Sequence, residues 1–262
     1  MKKIITFIFV LSLFSCDNDG INLLSNPIDS NIIIEFRELL GTDSRQFSLF
    51  CQTEKQYPCC NYPILAEEKF ADNKLDITFT EVLETDLCFT AIGPATTIVN
   101  LPSLVNGTYE IGLKNANLAN KGKLEISDDN VDIIFKNEKG ILIKRQSTRR
   151  VPLNTYWGTI GYHSATTINK VNDFIQKASE LGADFRKQTP GHYFHYEIDK
   201  NGDIVEDIEN SGYYFLKCFI FQYTGDEDLF KKEIKELAAT YFDDMDIRIE
   251  TYKGEDICNW IK

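Results

Sequence analysis

The spacing of apolar residues changes once along this chain of 262 residues, close to residue 150. Before that point, short stretches alternate apolar and polar residues, as in residues 74–82 (KLDITFTEV). After it, longer stretches repeat apolar residues every three to four positions. Alternation is typical of half-buried strands, and the longer period is typical of helices that bury one face. The sequence therefore predicts a multi-domain protein with two parts of different fold class.

Residues 31–146 are predicted to form an all-β domain. Their short apolar stretches are separated by turn signals such as Asn106-Gly107, and no convincing helical pattern occurs among them. Many short strands with turns between them are typical of two antiparallel sheets packed face to face. We therefore expect an immunoglobulin-like (Ig-like) β-sandwich in this half of the chain.

Residues 147–262 are predicted to form an α+β domain. Strand and helix patterns alternate there, at residues 156–163, 165–181, 193–198, 213–223, 226–242 and 246–252. The order is βαββαβ, which is the split motif of ferredoxin-like folds. Residues 146–154 include Pro152 and are predicted to link the two domains.

One face of the second predicted sheet combines aromatic and charged residues. Alternation along the strands places six candidate binding residues on the side turned away from the helices: Trp157, Lys217, Phe219, Phe221, Arg248 and Tyr252. Aromatic rings mixed with polar groups suit the recognition of a protein or a glycan. The alternative is that the first domain or the linker packs on this face, and the short linker favours that packing.

The first sixteen residues have the parts of a bacterial export signal. Lys2 and Lys3 precede an apolar run, residues 4–14, that is too short for a permanent membrane helix. The run ends in Leu13-Phe14-Ser15-Cys16, which resembles the lipobox of bacterial lipoproteins. The resemblance implies that residues 1–15 are removed as a signal peptide and that Cys16 is acylated. The alternatives are an ordinary secretory signal and an uncleaved N-terminal anchor.

Residues 16–30 are polar and are predicted to be a tether. The sequence Asp17-Asn18-Asp19-Gly20 directly after Cys16 resembles the surface-export signal of Bacteroidota-type lipoproteins. The resemblance implies a protein anchored by lipid in the outer membrane and exposed at the cell surface, with a periplasm-facing position as the alternative. The same residues also suit a solvated, flexible tether.

The formal net charge of −12 limits the classes of partner. No cluster of Lys and Arg is present, and phosphate backbones are bound through such clusters, so nucleic-acid binding is not expected. The predicted partners are the lipid bilayer, through acylated Cys16, and a protein or glycan.

Six cysteines follow Cys16, an even number that permits disulfides outside the cytoplasm. Cys59 and Cys60 are adjacent, and their predicted partners are Cys51 and Cys88. Two pairings are consistent with the sequence: 51–59 with 60–88, or 51–60 with 59–88. The alternative is that these cysteines are buried thiols, which behave as small apolar side chains.

No catalytic residue, cofactor or metal is predicted. His163 and His192 are placed at opposite edges of the second sheet, and residues 199–204 match a hairpin turn better than a calcium loop, since Ile204 replaces the required glycine. The expectation is therefore a non-enzymatic binding or assembly accessory at the outer membrane. The alternatives are an adaptor that captures glycan or peptide for an outer-membrane β-barrel, and an enzyme with an unrecognised site.

Overall fold

The computed structural model describes residues 25–42, 44–89, 91–206 and 212–260. The predicted signal peptide, the lipidation site Cys16 and the tether up to residue 24 lie outside these residues. Strands predominate, and within the described ranges no helix is long and apolar enough to cross a membrane.

Eleven strands are described before residue 150. They are β1 (Ser25–Pro27), β2 (Ile32–Leu39), β3 (Gln46–Tyr57), β4 (Ile64–Ala71), β5 (Lys74–Leu83), β6 (Gly93–Asn100), β7 (Gly107–Asn115), β8 (Leu118–Ile126), β9 (Asn130–Phe135), β10 (Ile141–Ile143) and β11 (Ser147–Arg149). The last of these lies inside the segment that was predicted to be the linker.

The second half contains both predicted helices. Its elements are β12 (Thr155–Tyr162), a 3₁₀ turn (Ala165–Thr167), α1 (Ile168–Glu180), β13 (Gly191–Tyr193), β14 (Tyr196–Ile198), β15 (Phe215–Gln222), α2 (Glu227–Ala239), β16 (Asp246–Thr251) and β17 (Asp256–Cys258). The side chain of Asp226 caps α2 by accepting a hydrogen bond from the backbone N–H of Leu229, at 3.1 Å.

Two sheets enclose the core of the first half. The long sheet has the order β1-β5-β7-β8-β9-β11-β13-β14, with β4 also paired to β5, and the short sheet has the order β10-β2-β3-β6. Ile34 and Leu49 of the short sheet and Phe79 and Ile111 of the long sheet are almost completely buried in the same apolar cluster. Three strand pairs, β5·β7, β10·β2 and β11·β13, are parallel. The β-rich fold with several sheets is confirmed.

The long sheet continues into the second half through the pairing of β11 with β13. The predicted single strand at residues 193–198 is wrong, because Tyr193 pairs with Tyr196 and the chain reverses between them to form the β13–β14 hairpin. The rings of Tyr193 and Tyr196 stack at 4.7 Å, and both side chains are buried. Burial of this aromatic pair favours the hairpin over a strand that continues in one direction.

The C-terminal sheet has the order β15-β12-β16-β17 and is antiparallel throughout. Helices α1 and α2 cover one face, since Phe174 of α1 and Phe230 of α2 lie in one apolar cluster with Ile160 of β12. A split βαβ motif would place its second strand beside the outer edge of β15. At that edge the described chain forms only a single bridge, between Asp184 and Gln222.

The two halves meet at Glu38, whose exposed fraction is 2%. Its carboxylate accepts hydrogen bonds from Arg45 at 3.3 Å, from Arg150 at 3.1 Å and from the backbone N–H of Val151 at 3.0 Å. The backbone carbonyl of Glu38 lies 3.1 Å from Nε2 of His195. A buried carboxylate is tolerated when charges and hydrogen bonds surround it, as they do here.

Cys59 and Cys88 form a disulfide, as one of the two predicted pairings requires. The predicted second bridge is wrong, because Cys51 and Cys60 both retain free thiols. Cys51 points into the sandwich core, where burial raises the pKa of its thiol, while Cys60 lies on the following loop against Gly93. The structure therefore assigns Cys51 the alternative role of a small buried apolar side chain.

Candidate binding groove

The C-terminal sheet has one face that the helices do not cover. Strand pairing places Trp157 opposite Ile220 and Glu250, and Thr159 opposite Cys218 and Arg248. Directly paired residues of antiparallel strands point to the same side of a sheet. These side chains therefore share the face turned away from α1 and α2.

Phe219 and Phe221 lie on the other face, in the core beneath the helices. The prediction that they share a face with Trp157 is wrong, because β15 is offset by one residue from the assumed alternation. Phe221 stacks on Tyr156 at 5.2 Å, and Phe219 is paired with Gly158. A Cβ at Gly158 would lie 2.8 Å from the Phe219 ring, so the missing side chain makes room for the phenylalanine.

Trp157 is covered from within the molecule, and its exposed fraction is 4%. Its ring lies 5.5 Å from that of His195 and 5.0 Å from that of Tyr196, both in the β13–β14 hairpin. Val151 of the predicted linker and Leu40 of the first half belong to the same apolar cluster. Trp157 therefore acts as a packing residue that supports the hairpin above the sheet.

A groove of about 640 Å³ remains between the β13–β14 hairpin and the uncovered face of the sheet. Its lining combines apolar side chains with ionisable ones, and it includes Trp157, Thr159, His192, Phe194, Glu197, Glu206, Leu216, Cys218, Arg248 and Glu250. A concave site with an apolar lining and a few charged groups is typical of ligand binding. We call this site the hairpin groove.

Arg248 and Glu250 are the central charged pair of the hairpin groove. Arg248 donates to both carboxylate oxygens of Asp256, each at 3.2 Å, and lies 3.4 Å from Glu250. Burial raises the pKa of Glu250, and the attraction of Arg248 offsets this effect only in part. The pKa of Arg248 is raised by its hydrogen bonds to Asp256.

Two of the three histidines line the groove. Nδ1 of His192 is 3.9 Å from Glu197, and burial lowers the pKa of both His192 and His195. Both are therefore mainly neutral near pH 7. The ring of His163 contacts Tyr214 instead. Within the described ranges, no group of three or more His, Cys, Asp or Glu side chains is placed to hold a metal ion.

The remaining predicted binding residues lie apart from the centre of the groove. Lys217 is paired with Ile160 of the helix-covered face, so its predicted place on the uncovered face is also wrong, and its ammonium group forms an ion pair with Glu206 at 2.9 Å. The hydroxyl of Tyr252 donates to Glu227 at 3.2 Å, in the first turn of α2. Of the six predicted residues, Trp157 and Arg248 line the groove.

The six predicted binding residues include none of the acidic groups that line the groove. Glu250 is two residues after Arg248 on β16, so alternation alone places it on the same face as Arg248. Glu197 and Glu206 belong to the hairpin and to the chain after it, and no periodic pattern indicated that this hairpin would lie over the sheet.

Comparisons with known proteins do not add a family to this description. No protein-family model, curated protein or solved structure matches the chain. The hairpin groove is therefore interpreted from its own geometry and charges.

The two tryptophans provide a matched test of the packing beneath the groove. Trp157→Ala should lower the free energy of unfolding by about 3–5 kcal/mol, because it removes a buried aromatic side chain. Trp260→Ala, at a position with an exposed fraction of 43%, should have a much smaller effect. Denaturant unfolding of both variants measures the difference. Equal small losses would show that Trp157 does not support the hairpin.

The raised pKa of Glu250 predicts a stability that depends on pH. As the pH rises above the pKa that Glu250 has in the unfolded chain, the unfolded protein loses the carboxyl proton while the folded protein still holds it. Ionisation of Glu250 therefore favours unfolding. Glu250→Gln should therefore be more stable than wild type at pH 7, and this advantage should disappear near pH 4. Denaturant unfolding at both pH values measures it, with Glu236→Gln on α2 as an exposed control. A Glu250→Gln protein less stable than wild type at pH 7 would refute this account of the pair.

Proposed function

We propose that this protein is a lipid-anchored, non-enzymatic binding or assembly accessory of the outer membrane, exposed at the cell surface, and that it captures its ligand in the hairpin groove. The observation behind this proposal is the pair Arg248 and Glu250 in a concave, partly apolar site. Burial of Glu250 disfavours its ionised form. Ionisable side chains that lower the stability of the folded protein in this way are typical of functional sites.

The charge of the groove favours some ligands over others. Three carboxylates line the groove, those of Glu197, Glu206 and Glu250. The carboxylate of Glu206 forms an ion pair with Lys217. An anionic ligand would be repelled there, whereas hydroxyl, amide or basic groups would find acceptors. These groups are those of a glycan or of a peptide, so the more specific candidate is a glycan- or peptide-capturing adaptor of an outer-membrane β-barrel.

The second candidate function is an enzyme, and the same carboxyl group favours it. A carboxylic acid with a raised pKa can serve as a general acid, and Glu250 is such a group in a groove. We rank this candidate lower because Arg248, 3.4 Å from Glu250, favours the ionised form of this carboxyl group, whereas a general acid must be protonated.

We also propose that the two halves are variants of the Ig-like sandwich and of the ferredoxin-like fold. The stacking of two sheets supports the first assignment. The order β15-β12-β16, with two helices on one face, supports the second, because it matches three of the four strands of the split βαβ motif. The sandwich differs from the Ig-like fold in its parallel strand pairs. The second half differs from the ferredoxin-like fold because residues 193–198 form the β13–β14 hairpin instead of a strand of the C-terminal sheet.

A single purification experiment tests the proposed function. The tagged full-length chain is expressed in a Gram-negative bacterium, and its membrane fraction, mature mass and bound material are compared among variants. Cys16→Ser should leave the protein in the soluble fraction or as an uncut precursor, because acylation is lost. Arg248→Ala should remain at the membrane with the mature mass but lose the bound material.

Arg186→Ala is the matched control for the groove variant. Arg186 belongs to the same half and forms an ion pair with Asp184, but it does not line the hairpin groove. This variant should keep both the anchor and the bound material. Unchanged partition and mass for Cys16→Ser would refute the anchor, and equal capture by Arg248→Ala and wild type would refute the groove. A ligand recovered in altered form would favour the enzyme.

A further inference from the structure

Three apolar side chains project into solvent from the connection between β5 and β6. Leu87, Phe89 and Ile92 have exposed fractions of 69%, 56% and 79%. We call these three residues the apolar tip. Large apolar side chains grouped at one exposed site mark contact surfaces. We propose that the apolar tip inserts into the bilayer that holds the acylated Cys16, an inference that rests on the proposed lipid anchor.

The apolar tip is held in its exposed position by covalent and hydrogen bonds. The disulfide between Cys59 and Cys88 fixes the chain between Leu87 and Phe89. The side chain of Asn61 donates to the carbonyl of Leu87 at 2.6 Å and accepts from the N–H of Phe89 at 3.0 Å. Bonds on both sides of Cys88 therefore hold the backbone that carries Leu87 and Phe89, and such preorganisation lowers the cost of binding.

The start of β1 places the apolar tip near the anchor. Ser25 pairs with Leu83, only four residues before Leu87. Nine peptide steps separate Cys16 from Ser25, so the Cα atoms of these residues are at most about 33 Å apart. An anchored Cys16 therefore keeps this end of the sandwich within reach of the membrane surface. Weak contacts suffice under such tethering, because the local concentration of bilayer is high.

The charge around the apolar tip indicates which surface it contacts. Residues 81–93 contain Glu81, Glu84 and Asp86 and no Lys or Arg. Binding through attraction to anionic headgroups is therefore excluded for this segment, and the contact with lipid must be apolar. A bilayer of neutral phosphatidylcholine should be sufficient.

Insertion of the apolar tip would orient the whole molecule. The β2 strand begins at this end of the sandwich, and its other end holds Glu38, where the second half is attached. Strand β3 runs from Phe47, which pairs with Glu38, to Tyr57, which pairs with Gly93 beside the apolar tip, and these ten steps span about 33 Å at the rise of a strand. The hairpin groove would then be held at the end away from the bilayer, open to the surroundings of the cell.

A depth-quenching experiment tests the inference on the full-length, lipidated protein in phosphatidylcholine vesicles. A tryptophan is introduced by Phe89→Trp or, as a second reporter, by Ile92→Trp. The matched control is Val105→Trp, at a position with an exposed fraction of 74% at the opposite end of the sandwich. With lipids brominated on their acyl chains, the fluorescence added by either tip reporter should be quenched at least twice as strongly as that added by the control.

The outcomes separate this inference from the proposed function. If the protein floats with the vesicles but the tip and control reporters are quenched equally, the inference is overturned and the anchor stands. The apolar tip would then be a contact surface for a protein partner. If the protein does not float with the vesicles, the anchor is refuted and the inference falls with it. Strong quenching of Phe89→Trp and Ile92→Trp alone supports the insertion.

Discussion

The buried carboxylate of Glu38 is the interaction on which the arrangement of the two halves depends. It belongs to β2 of the sandwich, and it is bonded to Arg45 from the same half and to Arg150 and Val151 from the segment that leads into the other. A carboxylate buried to this degree is stable only while these donors remain in place, because an unpaired buried charge costs several kcal/mol. Together with the pairing of β11 with β13, this charge and its hydrogen bonds set the direction in which the second half leaves the sandwich.

This attachment gives the molecule two ends with different chemistry. At one end, the long sheet extends into the β13–β14 hairpin, which rests on Trp157 and leaves the hairpin groove open beside Arg248 and Glu250. At the other end, β1 begins beside Leu83 and the apolar tip. Our proposals follow from this polarity, since a protein that is anchored at one end can present a ligand site at the other.

The sequence allowed prediction of those elements whose burial follows a simple period. Helices α1 and α2 bury residues three or four positions apart, and β5 alternates, so local spacing was sufficient. Features set by contacts between distant segments could not be read in this way. The offset of β15 depends on Gly158 accepting the ring of Phe219 from another strand, and the hairpin at residues 193–198 depends on burial against β12. Glu250, by contrast, could have been predicted, because it follows Arg248 by two residues on β16 and therefore lies on the same face.

The most direct test of this account is whether Glu38 makes the two halves unfold as one unit. Both tryptophans, Trp157 and Trp260, lie in the second half, so their fluorescence reports its unfolding, whereas hydrogen exchange of the backbone amides of β3 and β5 reports the unfolding of the first half. In denaturant, the two signals of the wild-type protein should change together, as a cooperative transition requires. Glu38→Gln should lower the free energy of unfolding by about 3–5 kcal/mol, as the loss of one partner from a buried ion pair does. Separate transitions in the wild type, or a Glu38→Gln protein as stable as the wild type, would contradict the account.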